Sequence, residues 1–200
     1  MLIDNLEKIL QIKIVYFGPA MSGKTTSLKK LFNHFGKGDQ LESIESTVGR
    51  TLFFDFGTVQ FQNEEWLLKI LFYSTTGQDF YAGTRPTVLR GIDGLIFVAD
   101  SQMHAYKRNV ASWNELESYF EPAFFKELPK VVALNKQDLT DKFATSIFLN
   151  DIDYNEYKNI EWKYTIALSF EGILECFEEL LRLIFLELYK QQLQIERNSN

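Results

Sequence analysis

Three groups of residues in this 200-residue chain have types and spacings suited to chemistry on a nucleotide. The first is GPAMSGKTT, residues 18–26, in which Gly18, Gly23, Lys24 and Thr25 satisfy the pattern G-x-x-x-x-G-K-[ST]. Glycines so placed let backbone N–H groups turn inward around a β-phosphate, aided by the positive end of a following helix. Lys24 would reach between the β- and γ-phosphates, the Thr25 hydroxyl would bind Mg²⁺, and Ala20, Ser22 and Thr26 complete the lining of the loop. The second group is NKQD, residues 135–138. The Asp138 carboxylate can accept two hydrogen bonds from the N1–H and exocyclic amine of guanine. Adenine lacks both donors there and is rejected. Asn135 would tie this loop to the phosphate loop, and the stem of Lys136 would lie over the base. The third group is split between STVGRTLFFDF (46–56) and YSTTGQDFYAGTRP (73–86). Gly77 could donate its N–H to a γ-phosphate, Gln78 could orient an attacking water, and Arg50 could neutralise transition-state charge. Thr47 and Thr51 both qualify to complete a Mg²⁺ shell.

These groups need a scaffold that brings distant loops to one edge, and the apolar pattern supplies it. Strand-like runs occupy 11–17, 50–56, 66–73, 93–100, 130–135 and 163–168, several of them apolar at consecutive positions. Such runs suit strands buried on both faces of a mostly parallel sheet. Helix-period stretches at 24–35, 105–121 and 172–192 alternate with them. The second and third runs are joined by GTVQFQNEE, too short for a helical crossover, so one antiparallel edge strand is expected. The expected fold is therefore α/β: a phosphate-loop domain of about six strands with helices on both faces. Phosphate loop and NKQD then both follow strands at the carboxyl edge of the sheet, where open α/β sheets bind ligands.

Composition narrows the function classes further. A net charge of −6 without a basic cluster argues against a nucleic-acid face. No apolar run is long enough to span a membrane, and the acidic, interrupted start does not have the form of a signal peptide. The single cysteine, Cys176, excludes an internal disulfide and fits a reducing, cytoplasmic setting. His34 and His104 have no partners at metal-site spacing. The apolar face of Leu174, Phe177, Leu181, Ile184 and Leu188 is expected to be core or a docking helix. There are no repeats and no second domain. One domain is expected over 1–190, with a solvated tail over 191–200, and no lipid anchor of the myristoyl or C-a-a-X kind is expected.

Taken together, GPAMSGKTT, GRTLFFDF, YSTTGQDFY, GIDGLIFVADSQ and NKQD resemble the Ras-like small GTPases. Within them the chain is most similar to the prokaryotic polarity and gliding-motility group, the MglA-type GTPases, over residues 11–190. The resemblance implies the small-GTPase fold, GTP and GDP as ligands with Mg²⁺, and hydrolysis of GTP. It implies Arg50 as an intrinsic arginine finger beside a switch Thr51, with Gln78 as the catalytic glutamine. It also implies a regulator of the roadblock (longin-like) class and effectors at the switch loops, with a role in polarity or motility.

Three departures from the Ras-like pattern bear on function. Ser74 stands where most relatives have the D-x-x-G aspartate, and Asp55 is the expected substitute in the Mg²⁺ shell. Ala20 replaces a glycine facing the γ-phosphate, so slow unaided hydrolysis is expected, because misplacement by about 1 Å can cost on the order of a hundredfold in rate. The loop that backs the guanine is reduced to TIALSFEG (165–172), where the Ala167 N–H is expected to meet guanine O6. Two readings stay open: a GTP-hydrolysing switch, and a GTP-gated interaction module with little or no turnover.

Overall fold

The computed structural model describes residues 1–44, 54–75 and 83–198. Alternation along the strands decides its layering. In β2 (Ile9–Phe17), after the short β1 (Leu2–Asp4), Ile12, Ile14 and Tyr16 turn to one face of the sheet and Val15 and Phe17 to the other. All five are buried, so both faces must be covered by helices. The split recurs in β6 (Gly94–Asp100), where Ile96 and Val98 join the first face and Leu95, Phe97 and Ala99 the second. The first face is covered by α1 (Lys24–His34) and α6 (Ile173–Asn198). The second is covered by α2 (Arg85–Leu89), α3 (Tyr106–Ser118), α4 (Pro122–Glu127) and α5 (Thr145–Asp151). Aromatic rings fill this second layer, with Trp113 edge-on to Phe97 at 5.0 Å between centroids.

The remaining strands are β3 (Leu41–Ile44), β4 (Phe54–Gln62), β5 (Leu67–Thr75), β7 (Lys130–Asn135) and β8 (Ile160–Tyr164). Their order is β3-β4-β5-β2-β6-β7-β8, with β1 paired antiparallel to β2. The pairs β5–β2, β2–β6, β6–β7 and β7–β8 are parallel, whereas β3–β4 and β4–β5 are antiparallel. The α/β class and mostly parallel sheet are as expected from the sequence, but the described sheet has eight strands rather than about six. The two additions, LID and LESI, are short and carry charge, which hides them from a hydrophobic pattern. The antiparallel element is accordingly a pair at one edge, plus β1, rather than one strand.

Three boundaries differ from those expected. The run expected at 50–56 is a strand from Phe54 to Gln62 among the described residues, and residues 50–53 lie outside them. TVQFQ alternates and pairs with β5 from Phe54↔Thr75 to Gln62↔Leu67. The turn is correspondingly tight: Asn63 Oδ1 accepts hydrogen bonds from the Glu65 and Trp66 N–H groups at 2.9 and 2.6 Å. The last strand ends at Tyr164 instead of 168, because the Ile166 and Ala167 N–H groups turn to Glu171 O and Asn135 Oδ1. The last helix continues to Asn198 rather than ending at 192. No helix among the described residues is long and apolar enough to cross a membrane.

Candidate functional site

The parallel strands β2, β6 and β7 end together, at Phe17, Asp100 and Asn135, and the chemistry gathers on that edge. The loop after β2 has glycines where side chains have no room. A Cβ on Gly18 would lie 2.2 Å from Val98 O, and one on Gly23 2.2 Å from Asn135 Nδ2, both with positive φ (138 and 109). Gly23 caps α1, whose first residue is Lys24. The buried Lys24 donates to Gly18 O at 2.8 Å and Pro19 O at 2.7 Å, so its ammonium lies inside the curl of the loop. Burial pushes its pKa down to about 7, the Arg85 charge acts in the same direction, and Asp55 opposes it. A phosphate in the loop would supply the negative charge that favours the protonated amine. Ser22 Oγ is buried with no hydrogen-bond partner among the described residues, a polar atom at the floor of the same loop.

Asn135 joins three segments. Its Nδ2 donates to Ser22 O at 2.8 Å, and its Oδ1 accepts from the Ala167 N–H at 2.9 Å and the Thr165 hydroxyl at 3.1 Å. The phosphate loop, NKQD and the 165–172 loop are thereby locked around one cavity of about 250 Å³. Met21, Thr26, Lys136, Asp138, Ala167 and Leu168 line it, so the cavity is apolar on its walls and carries one carboxylate and one ammonium. The Ala167 N–H is engaged by Asn135 in this geometry, and reaching guanine O6 would require the hydrogen to be shared between two acceptors. A larger cleft of about 350 Å³ lies at the opposite end of the sheet, beside Ile92 and Leu128. Its Asp93 carboxylate is engaged by the Lys13 N–H at 2.8 Å and by the Met1 ammonium.

Asp55 lies near the start of β4, opposite Ser74 of β5 in the register. It is buried, and the Thr25 hydroxyl donates to its Oδ2 at 2.6 Å. Mg²⁺ is commonly held by one or two carboxylates together with substrate phosphates and water, and a Thr hydroxyl beside a carboxylate fits that set. Among the described residues no group of three or more His, Cys, Asp or Glu side chains forms an all-protein metal site. Thr47, Arg50, Thr51, Gly77 and Gln78 lie outside the described residues. Arg85, which begins α2 after the second of these segments, is buried, paired with Glu115 of α3, and lies over the Phe17 ring. Sequence reasoning missed Asp100, Asn109 and Thr165, which support NKQD from neighbouring elements, and the role of Gln137 within it, which donates to Ser101. Only Asp100 had a signal: a lone acid closing the apolar run GLIFVA.

The chain matches known proteins along most of its length. The ADP-ribosylation factor family matches residues 2–184. The mutual gliding-motility protein MglA of Myxococcus xanthus is 30% identical over 194 residues, covering 94% of this chain and 97% of that one. The Ras-related protein Rab-32D of Dictyostelium discoideum is 26% identical over 88% of this chain and 77% of its own length. The Ras-related protein RABA1b of Arabidopsis thaliana is 26% identical over 94% and 82%.

Proposed function

This chain belongs to the ADP-ribosylation factor family, a family of small GTPases that are GTP-binding switches, and from that premise we propose that it hydrolyses GTP to GDP and phosphate and signals through its 44–56 and 74–86 segments. The observation that carries this reading is the Asn135 clamp, which unites a phosphate loop with a carboxylate-bearing base cavity. Asp138 reads the guanine edge, and Lys136 covers the base. The phosphate-loop N–H groups and Lys24 meet the charge that develops on the β–γ bridging oxygen as its bond to the γ-phosphorus breaks. Gln78 orients the attacking water, Gly77 contacts the γ-phosphate, and Arg50 neutralises its equatorial oxygens. Thr25, Thr51 and Asp55 are the residues that would hold Mg²⁺, which when bound neutralises the β- and γ-oxygens.

Loss of the γ-phosphate would release the two segments and so change the surface offered to partners. By its likeness to MglA, we place it in a polarity or motility system, regulated at these segments by a protein of the roadblock/longin class. A cytoplasmic setting is the one we propose; Cys176 is buried, and burial pushes its thiol up to about 12. The second reading, a GTP-gated module with little turnover, is favoured by Ala20, whose methyl faces the γ-phosphate.

The test is single turnover: load the protein with GTP and Mg²⁺, then follow the bound nucleotide over time. GDP should accumulate, and Gln78→Ala and Arg50→Ala should each abolish it. Intact GTP retained by the wild type alone would favour the module, and GDP formation untouched by both variants would refute the assigned roles.

A further inference from the structure

Lys136 stands in a left-handed backbone conformation, φ 67, directly after the strand that ends in Asn135. Non-glycine residues persist there only where their surroundings hold them. What holds this side chain is a carboxylate on the neighbouring strand. Lys136 Nζ donates to Asp100 Oδ2 at 2.7 Å, and the Asp100 side chain is only 2% exposed against 27% for the lysine. Asp100 pairs in register with Asn135 across β6 and β7, so strand pairing itself delivers the carboxylate to the base loop.

Asp100 is in turn fixed from α3. Asn109 Oδ1 accepts from the Asp100 N–H at 3.1 Å, and Asn109 Nδ2 donates to Asp100 O at 2.8 Å, closing a ring on the backbone of one residue. The other carboxylate oxygen accepts from the Gln102 N–H at 3.1 Å. Ser101 continues the seam: its N–H donates to Asn135 O, and its hydroxyl accepts from Gln137 at 2.7 Å.

Resting on the reading of this cavity as a guanine-nucleotide site, we infer that Asp100, held by Asn109, is the positioning residue that aims the Lys136 stem across the purine. A lysine tethered at its ammonium has lost most of its rotamers before any ligand arrives. The entropy of ordering that stem is then not charged against nucleotide binding, and its methylenes form a ready apolar cover. The support reaches from α3, an element that does not line the cavity.

The experiment is a double-mutant cycle on the full chain with Asp100→Asn, Lys136→Met and the two combined. It measures dissociation rates of GDP and inosine diphosphate, and the unfolding midpoint of the nucleotide-free protein. Asp100→Asn should speed GDP dissociation about tenfold and add nothing once Lys136 is Met. Lys136→Met alone should lower the midpoint, because it leaves a buried carboxylate without its cation, and Asp100→Asn should restore it in the double variant. Inosine diphosphate lacks the exocyclic amine assigned to Asp138, so lost aim over the purine accelerates both nucleotides alike and preserves their ratio. Additive effects in the cycle, or a ratio that collapses in Asp100→Asn, would overturn the inference, since both describe an aspartate that merely holds the loop together. A wild-type protein that retains no guanine nucleotide would instead sink the nucleotide-site reading, and this inference with it.

Discussion

Replacing Asp55 by Asn tests the proposed metal role of this carboxylate apart from its structural one. The amide oxygen can still accept from the Thr25 hydroxyl, now 2.6 Å from Oδ2, and the side-chain volume is unchanged. The charge is lost, and one acceptor oxygen becomes an NH₂ donor. An ion bound to Thr25 Oγ1 at the usual Mg–O length of about 2.1 Å would lie no more than about 5 Å from Oδ2. One negative charge attracts a divalent cation at about 5 Å by roughly 2 kcal/mol at the dielectric of water and roughly 7 kcal/mol at an effective dielectric of 20. A phosphate site opens to solvent, so the lower end applies: about 2–3 kcal/mol, or on the order of a thirtyfold to a hundredfold change in the Mg²⁺ concentration needed. The assay is release of a fluorescent GDP analogue across buffered free Mg²⁺, beside the unfolding midpoint of the nucleotide-free protein. The midpoint of Mg²⁺ dependence should rise by that factor while the fold stays intact. An unchanged Mg²⁺ curve in a folded Asp55→Asn protein would remove this residue from the metal shell.

Ala20→Gly removes the methyl assigned to the γ-phosphate side of the loop, so single-turnover hydrolysis should accelerate about tenfold or more, given that sub-ångström crowding at a reacting centre is costly. An unchanged rate would show the methyl to be harmless. Lys130, at the foot of β7, is fully buried between the Phe125 and Tyr157 rings, donates to Phe125 O and Leu128 O, and has its pKa pushed down to about 7 by burial despite Glu127 and Glu117 nearby. The unfolded chain therefore binds one more proton than the native state between pH about 7 and about 10.5, and this residue makes stability rise with pH across that window by at most about 1.4 kcal/mol per unit. Lys130→Met should lack that slope, so its stability relative to wild type should improve as pH falls from 9 to 7 in urea titrations. Parallel curves would refute the assignment.

The loops proposed to hold phosphate and base could be read from the sequence because their chemistry is local. A glycine, a lysine and a threonine in consecutive positions, or an asparagine and an aspartate three apart, need only a strand before them to become a site. The two central parallel strands were legible for a related reason: strands buried on both faces show unbroken apolar runs, as in GLIFVA and KVVAL. What stayed hidden depends on pairing. β3, with Glu42 and Ser43 among its four residues, is a strand because β4 lies beside it. Ala167 was found from spacing, but the engagement of its N–H with Asn135 comes from a contact 32 residues away in sequence.

Asp55 and Asp100 show how register extends a motif that sequence alone delimits. Each is a lone acid in an apolar strand, where an ionised carboxylate is costly to bury without partners, so its presence is already a sign of something opposite it. Neither partner is near in sequence. Asp100 closes β6, and the parallel strand β7 brings Asn135 and then Lys136 alongside. β4 runs the other way, so its opening residues, not its closing ones, lie at the site edge, and Asp55 meets Thr25 there while Ser74 sits across from it on β5. On the proposed metal role of Asp55, the serine at the usual aspartate position and the aspartate on the neighbouring strand would be one exchange: a carboxylate carried across a strand pair, with the direction of β4 making the two positions equivalent.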